Sequence, residues 1–239
     1  MAAFTARLAD LASGLLLDEA RVIEVQQPAP GFVAVTLQAD AYRGKRWAPG
    51  AKLQIRPFPG SLALRTYTPI GWDTDAGSTQ LIADTHGSGP ASRWFRDAVV
   101  GASVGTFGPR RSIELSDVGD DVVFVGDESS VGLALALETL PAKRARRVFE
   151  AERPDDLRHL LAARGFGDAA DVVDRSTDRA RLLGLVCVAV EESDAAPDLL
   201  VTGDAATVHA VRRAARTWSR QPGRVHGKAY WAQGRTGLD

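Results

Sequence analysis

The 239-residue sequence contains a single cysteine, Cys187. That excludes an internal disulfide framework and a four-cysteine iron-sulfur cluster. Cys187 lies in the apolar run Leu185 to Val190, which reads as a strand, so a buried core position is expected for it. The four histidines, His86, His159, His209 and His226, lack metal-ligand spacing, so no metal ligands are assigned. No Ser, His and Asp pattern with a nucleophile elbow occurs. A formal net charge of -1 gives no bulk attraction to nucleic acid or anionic lipid. The basic run Lys143-Arg144-Ala145-Arg146-Arg147 has no interleaved aromatics and reads as a solvated loop. Long apolar runs are missing as well. Leu11 to Leu17 is short, is broken by Ser13-Gly14 and follows Arg7 and Asp10, which suits neither a membrane span nor a signal peptide. The expectation is a cytoplasmic protein with no nucleic-acid or membrane partner. No internal repeat or low-complexity tract is present, and nothing specifies an oligomeric state.

What is present is an ordinary globular composition, 45% apolar and 25% charged, in a chain long enough for one large or two modest domains. The pattern changes near residue 117. Before it, a weakly helical segment from Phe4 to Leu17 precedes short alternating runs: Val33, Val35, Leu37; Leu53, Ile55; Leu81, Ala83; Val104. Turn-rich stretches at Gln27 to Gly31, Ala48 to Gly50, Pro57 to Gly60 and Asp73 to Ser78 separate them. This predicts a small closed antiparallel barrel, interrupted by one helix over about Pro90 to Val99 that Gly101 stops. After residue 117, Val122 to Val125 is a continuous apolar run ending at Gly126, and a helical stretch follows from Val131 to Leu140. That pairing reads as a buried parallel strand feeding a helix. Strands at Arg147 to Ala151, Leu185 to Val190, Leu199 to Thr202 and Val225 to Tyr230, with helices at Asp155 to Arg164 and Ala205 to Ser219, make the second half an open α/β sheet.

Two segments of the first half carry chemistry. In Arg65-Thr66-Tyr67-Thr68-Pro69 an arginine, an aromatic ring and a hydroxyl alternate on an extended strand, with Arg65 and Tyr67 on one face. They offer a phosphate partner, a stacking plane and a short hydrogen bond, the needs of a flavin nucleotide. In His86-Gly87-Ser88-Gly89-Pro90-Ala91-Ser92-Arg93-Trp94 two glycines precede a proline at a helix start, where free backbone N–H groups and the helix dipole favour a diphosphate. In the second half, Val122 to Val131 runs strand, turn and helix N-terminus, the usual setting of a dinucleotide crevice. Its Gly126-Asp127-Glu128-Ser129-Ser130 is not Gly-x-Gly-x-x-Gly, and two carboxylates there repel phosphate unless they turn away.

Taken in order, Arg-Thr-Tyr-Thr-Pro, His-Gly-x-Gly-Pro-Ala-x-x-Trp, Gly126 to Ser130, Gly203-Asp204 and Tyr230-Trp231-x-x-Gly234 resemble the siderophore-interacting proteins. These are FAD-dependent ferric-siderophore reductases of the ferredoxin-reductase-like superfamily, and the resemblance runs from about residue 19 to 235. It implies a six-stranded antiparallel Greek-key FAD-binding β-barrel over residues 1–117. An open parallel-sheet α/β domain for NADPH or NADH would follow over 118–239, with a C-terminal segment returning to the flavin. By resemblance, Arg65 would hold FAD phosphate, Tyr67 would pack on the isoalloxazine, Thr68 would hydrogen-bond near its N5, and Thr66 between them would count among the cofactor-binding residues. His86, Gly89, Pro90, Ala91, Ser92 and Trp94 would surround the diphosphate and adenosine end; for Trp94 a core anchor of the short helix is the alternative. Gly126, Asp127, Glu128, Ser129, Ser130, Gly203 and Asp204 would line the nucleotide crevice, Asp204 being alternatively a plain helix N-cap. Glu150 and Glu152 would accept hydrogen bonds from a ribose diol and lean toward NADH, while Arg153 leans the other way. Trp231 either covers the other flavin face or plugs the core.

For the acceptor, the resemblance implies a ferric siderophore steered by basic residues, here Lys52 and Arg235 beside the flavin edge. Ile70 and Ala232 stand where the family usually reads Arg. Losing two positive charges from one pocket shifts its ligand toward something less charged or more apolar. Arg43, Lys45, Arg46, Arg110 and Arg111 are candidates to compensate. Two alternatives follow: a related FAD reductase acting on a redox protein or small organic substrate, and a flavin-binding module that no longer uses nicotinamide.

Overall fold

The computed structural model describes residues 17–58, 64–176 and 179–235. The helical segment expected at Phe4 to Leu17 lies, apart from Leu17, outside the described residues, as does part of the expected turn at Pro57 to Gly60. The chain divides into two compact units after Ile113. The short turn Leu115–Asp117 falls in the second unit.

The first unit is an antiparallel sheet of β1 (Asp18–Ala29), β2 (Phe32–Gln38), β3 (Lys52–Arg56), β4 (Arg65–Tyr67), β5 (Ile70–Asp73), β6 (Ser78–Asp84) and β7 (Ser103–Arg110). Helix α1 (Pro90–Arg96) joins β6 to β7. The order is β4-β3-β7-β1-β2-β6-β5, seven strands where six were expected, because Ile70 and Asp73 pair with Gln80 and Ser78 as an added edge strand. The two edge strands are consecutive in the chain, separated only by Thr68-Pro69. Laid flat, the six gaps between seven strands would span about 29 Å. Three residues of extended chain reach only about 10 Å. The sheet therefore curls until its edges nearly meet, without a hydrogen-bonded ladder between β4 and β5 among the described residues. The result is barrel-like but not closed.

Its interior is built from the alternating residues. Val35, Leu37, Leu53, Ile55 and Leu81 are fully buried and share a core with Trp94 and Phe95 of α1. Tyr42, also fully buried, donates its hydroxyl to Thr106 Oγ1 at 2.8 Å, and Thr106 donates onward to the Asp18 carbonyl at 3.1 Å.

The second unit has β8 (Asp121–Gly126), α2 (Val131–Glu138), β9 (Arg144–Ala151), α3 (Pro154–Ala163), β10 (Ala170–Asp174), α4 (Arg179–Glu191), β11 (Asp198–Asp204), α5 (Ala205–Ala215) and β12 (Val225–Trp231). All its strand pairs are parallel, in the order β10-β9-β8-β11-β12. From β8 the chain runs outward through β9 and β10, then crosses back to β11 on the other side. The topological switch therefore falls between the carboxyl ends of β8 and β11.

Three expectations are corrected here. Leu185 to Val190 is the end of helix α4, where Leu182, Val186, Ala189 and Val190 face the core and Val188 is exposed. Cys187 accordingly sits partly exposed on that helix, near Glu191, and is not a core strand residue. The basic run is no loop: Arg144 to Arg147 open β9, and each cation meets a carboxylate. Lys143 pairs with Asp120, Arg144 with Asp121, Arg146 with Glu192 and the buried Arg147 with Glu138.

Tyr42→Phe removes the buried hydroxyl pair without opening a cavity and is expected to lower unfolding free energy by about 0.5 to 1.5 kcal/mol. Urea unfolding measures it, and an unchanged midpoint would contradict the role given to that hydrogen bond.

Candidate functional site

Each unit carries its own cluster of the residues singled out by sequence. In the first unit, β4 lies on β3 with Arg65 opposite Ile55, Thr66 opposite Gln54 and Tyr67 opposite Leu53. Facing partners share a side of the sheet, so Arg65 and Tyr67 stand on the side that Leu53 and Ile55 bury. Arg65 is half-buried, and one Nη donates to the Leu64 carbonyl at 2.9 Å. Gln54 Nε2 donates to Thr66 Oγ1 at 3.3 Å. The Tyr67 ring packs against Phe95 with centroids 5.0 Å apart, and burial pushes its phenol well above the ordinary range. Thr68 is half-buried just past the strand, at the seam, before the buried Pro69.

That Tyr67 to Phe95 contact brings the second segment to the first. His86 Nδ1 lies 2.6 Å from Asp84 Oδ1, which requires the proton on Nδ1. Its ring rests on the backbone of Gly31, where an added Cβ would stand 2.6 Å from Nδ1; the φ of +70° there also favours glycine. Gly87, Gly89 and Pro90 are exposed, and Arg96 spans the loop from below to the carbonyls of Thr85 and Gly87. The first bond of α1 is Arg93 N–H to Gly89 O at 3.1 Å, so the amides of Ala91 and Ser92 precede the ladder. Trp94 is buried against Phe95, edge to face at 4.9 Å, in the core position offered as its alternative. Lys52, half-buried on β3, pairs in register with Arg110 of β7. Arg43 and Lys45 are engaged elsewhere, with Asp40 and the Asp75 carbonyl, and with Asp18 and the Gly108 carbonyl.

In the second unit the expected residues converge at the switch point. Asp127 is almost fully buried and accepts from five donors: Ser129 N–H at 2.9 Å, Ser129 Oγ at 2.5 Å, Ser130 Oγ at 3.3 Å, Asp204 N–H at 3.0 Å and Trp231 Nε1–H at 2.7 Å. Ser130 in turn accepts from Thr202 Oγ1 at 2.8 Å. The two carboxylates thus turn inward, Asp127 onto this network and Glu128 onto Arg175. Glu128 also accepts the Glu152 amide at 2.7 Å. Gly126 is needed because an added Cβ would stand 2.6 Å from Ser130 Cβ. Asp204 precedes α5 but makes no capping bond; its carboxylate lies 3.6 Å from Arg179. Glu150 is buried, accepts Thr207 Oγ1 at 2.6 Å and lies 3.7 Å from Arg175 Nε, so its carboxylate is turned inward. Trp231 is half-buried at the end of β12, with the Arg175 guanidinium 5.2 Å from its ring centroid. Arg235 is exposed.

Arg175 is the residue that sequence reasoning missed. It follows β10, and its guanidinium reaches Glu128, Asp127 and Glu150. Its signal was a lone arginine after the apolar pair Val172-Val173, where no strand was expected. Burial pushes the Glu128 carboxyl up, Arg175 pulls it down and Asp127 pushes it up again, with a net rise. Glu150 is likewise raised, by burial first, against Thr207 and Arg175.

No family model and no curated protein matches the sequence. Solved structures do resemble it in fold. The siderophore-interacting protein SipS from Aeromonas hydrophila is 20% identical, with 92% of this chain and 93% of that one covered and a TM-score of 0.74. A siderophore utilization protein from T. fusca is 22% identical over 93% and 95% of the two chains, with a TM-score of 0.71. Phthalate dioxygenase reductase, described as a modular structure for electron transfer from pyridine nucleotides to [2Fe-2S], is 16% identical over 95% of this chain and 71% of that one, with a TM-score of 0.72. The shared fold is an antiparallel barrel-like unit followed by an α/β unit.

Two outcomes follow from the second cluster. Gly203 has φ of +109°, and a Cβ there would stand 2.5 Å from the Asp127 carboxyl carbon. Gly203→Ala should therefore destabilise by roughly 1 to 3 kcal/mol from the backbone alone, read by thermal or urea unfolding; a neutral result would contradict the packing. A carboxyl raised in the folded state gives stability that is complete below its ordinary value and lost as pH rises through the raised one. Glu128→Gln lacks that loss, so its stability relative to the unchanged chain should rise from acid to neutral pH. The opposite trend in paired urea titrations would contradict the raised Glu128.

Proposed function

We propose that this chain is an FAD-dependent oxidoreductase of the siderophore-interacting kind, taking electrons from a reduced nicotinamide nucleotide and delivering them to a ferric siderophore. The observation that carries the reading is the contact of Tyr67 with Phe95, which joins the Arg65-to-Thr68 strand to the Gly89-to-Ser92 helix start. The likeness in fold to proteins described as siderophore-interacting adds to it.

The residues of the first unit fit FAD. The amides of Ala91 and Ser92 precede the helical ladder and suit a diphosphate, beside a Gly87 whose added Cβ would stand 3.1 Å from Ser92 Oγ. Arg65 supplies a cation for phosphate, Thr68 a hydroxyl for the ring edge, and Tyr67 an aromatic wall that packing on Phe95 fixes. His86, locked by Asp84, and the buried Trp94 hold that loop and helix in shape. FAD supplies the exchange between a hydride and single electrons. Gly126 to Ser130 with Gly203-Asp204 form the crevice offered to the nicotinamide donor, at the carboxyl ends of parallel strands.

For the acceptor, Lys52 and Arg110 put two cations opposite each other on β3 and β7, a field that draws an anionic chelate; Arg235 is a third basic candidate. Oxygen-rich chelators hold hard Fe(III) far better than Fe(II), so one electron loosens the metal and no protein ligand for iron is required. No general acid is assigned. Ile70, half-buried at the start of β5, favours a second reading in which the acceptor is a less charged organic molecule or a redox protein.

A steady-state screen separates these. Turnover with ferric hydroxamates or catecholates, and none with organic or protein acceptors, is the expected result; the reverse would overturn the assignment. Lys52→Gln should lower kcat/KM for an anionic chelate several-fold at low salt, the difference shrinking as salt rises. Arg65→Ala should weaken FAD retention by about 1.5 to 3 kcal/mol, roughly tenfold to a hundredfold, in equilibrium dialysis. Unchanged retention would remove Arg65 from the site.

A further inference from the structure

The carboxyl ends of three adjacent strands meet around one carboxylate. Glu128, just past β8, accepts the Glu152 amide after β9 at 2.7 Å through Oε1, and pairs with Arg175 after β10 through Oε2. A forked guanidinium and a strand-end amide converging on a pair of oxygens are what a phosphate group requires. The Arg175 Nε is buried and has no hydrogen-bond partner among the described residues, so the fork keeps an unused donor. We propose that Arg175 and the Glu152 amide form a receptor for one singly charged phosphodiester group of a dinucleotide, filled by Glu128 until such a ligand displaces it. This rests on the reading that the second unit takes a nicotinamide dinucleotide, and names the residues and the nucleotide class.

Charge decides the class. Arg175 faces Glu128, Asp127 at 3.9 Å and Glu150 at 3.7 Å. Exchanging the Glu128 carboxylate for one phosphate of a bridging diphosphate leaves the charge at the guanidinium unchanged. A terminal phosphate monoester carries about -1.5 to -2 near neutrality and adds charge beside Asp127 and Glu150. The receptor therefore takes a phosphate of a bridging diphosphate and disfavours a terminal phosphate monoester. Asp127 does not compete with the incoming group for Arg175, because its own oxygens are held by five donors. Trp231, against the Arg175 guanidinium, reports the exchange optically.

The test titrates the purified full-length protein with ADP-ribose and with ADP, whose outer phosphate is a terminal monoester, following tryptophan fluorescence and calorimetric heat. Glu128→Gln should bind ADP-ribose about tenfold tighter than the unchanged chain, since the resident anion is gone. Arg175→Lys, which keeps a cation beside Glu150 but loses the fork, should cancel most of that gain when combined with it. ADP-ribose should bind more tightly than ADP to every form that keeps Arg175. Equal affinity in Glu128→Gln, a gain that Arg175→Lys leaves intact, or preference for ADP would each overturn the proposal. Failure of the nucleotide reading is distinct: ADP-ribose would then bind to no form, whereas binding that neither Glu128→Gln nor Arg175→Lys alters would overturn the receptor alone.

Discussion

Two consecutive strands at opposite edges of one sheet set the geometry of the first unit. With only Thr68-Pro69 between β4 and β5, the sheet must curl, and the curl leaves a seam that no ladder crosses among the described residues. Pro69 has no N–H to offer a ladder at that point. The seam carries Arg65, Tyr67 and Thr68, residues whose chemistry suits a flavin. It also draws in α1, because Tyr67 packs on Phe95 and Phe95 is fully buried in the barrel core. Packing therefore fixes the distance between two segments that the sequence separates by about twenty residues, and the same contacts that stabilise the unit shape its candidate cofactor site.

The second unit shows how carboxylates are accommodated at the carboxyl ends of its parallel strands, the crevice proposed for a nucleotide. Ionised side chains there would repel phosphate through a poorly screening interior. Asp127 avoids this by turning onto two serine hydroxyls, two backbone amides and an indole, binding the ends of β8, β11 and β12 together. Gly203 has no side chain because the Asp127 carboxylate occupies that space. Glu128 instead meets a cation, and burial outweighs that partner, so its carboxyl is still raised.

Much of this was legible in the sequence, for identifiable reasons. Alternation exposed the barrel strands, since Val35, Leu37, Leu53, Ile55 and Leu81 are all interior. Val122 to Val125 read as a buried parallel strand because both its faces are covered. The run Leu185 to Val190 misled because six apolar residues fit a strand or a buried helix equally; its helical spacing emerges only when Leu182 is included. β10 escaped notice because Ala170–Asp174 is short, with only Val172-Val173 between two aspartates. The motif residues were found by type and spacing, whereas the partners that hold them were not: Asp84 for His86, Phe95 for Tyr67 and Arg175 for Glu128. Such pairings depend on which strand ends lie side by side, and local sequence does not encode that order.

The central claim is that the seam and helix start of the first unit hold FAD. The most direct measurement is the visible spectrum of the purified chain, taken before and after equilibration with FAD and removal of unbound nucleotide. A flavin spectrum that stays with the protein is the predicted result. A polypeptide that remains colourless after that treatment would contradict the account.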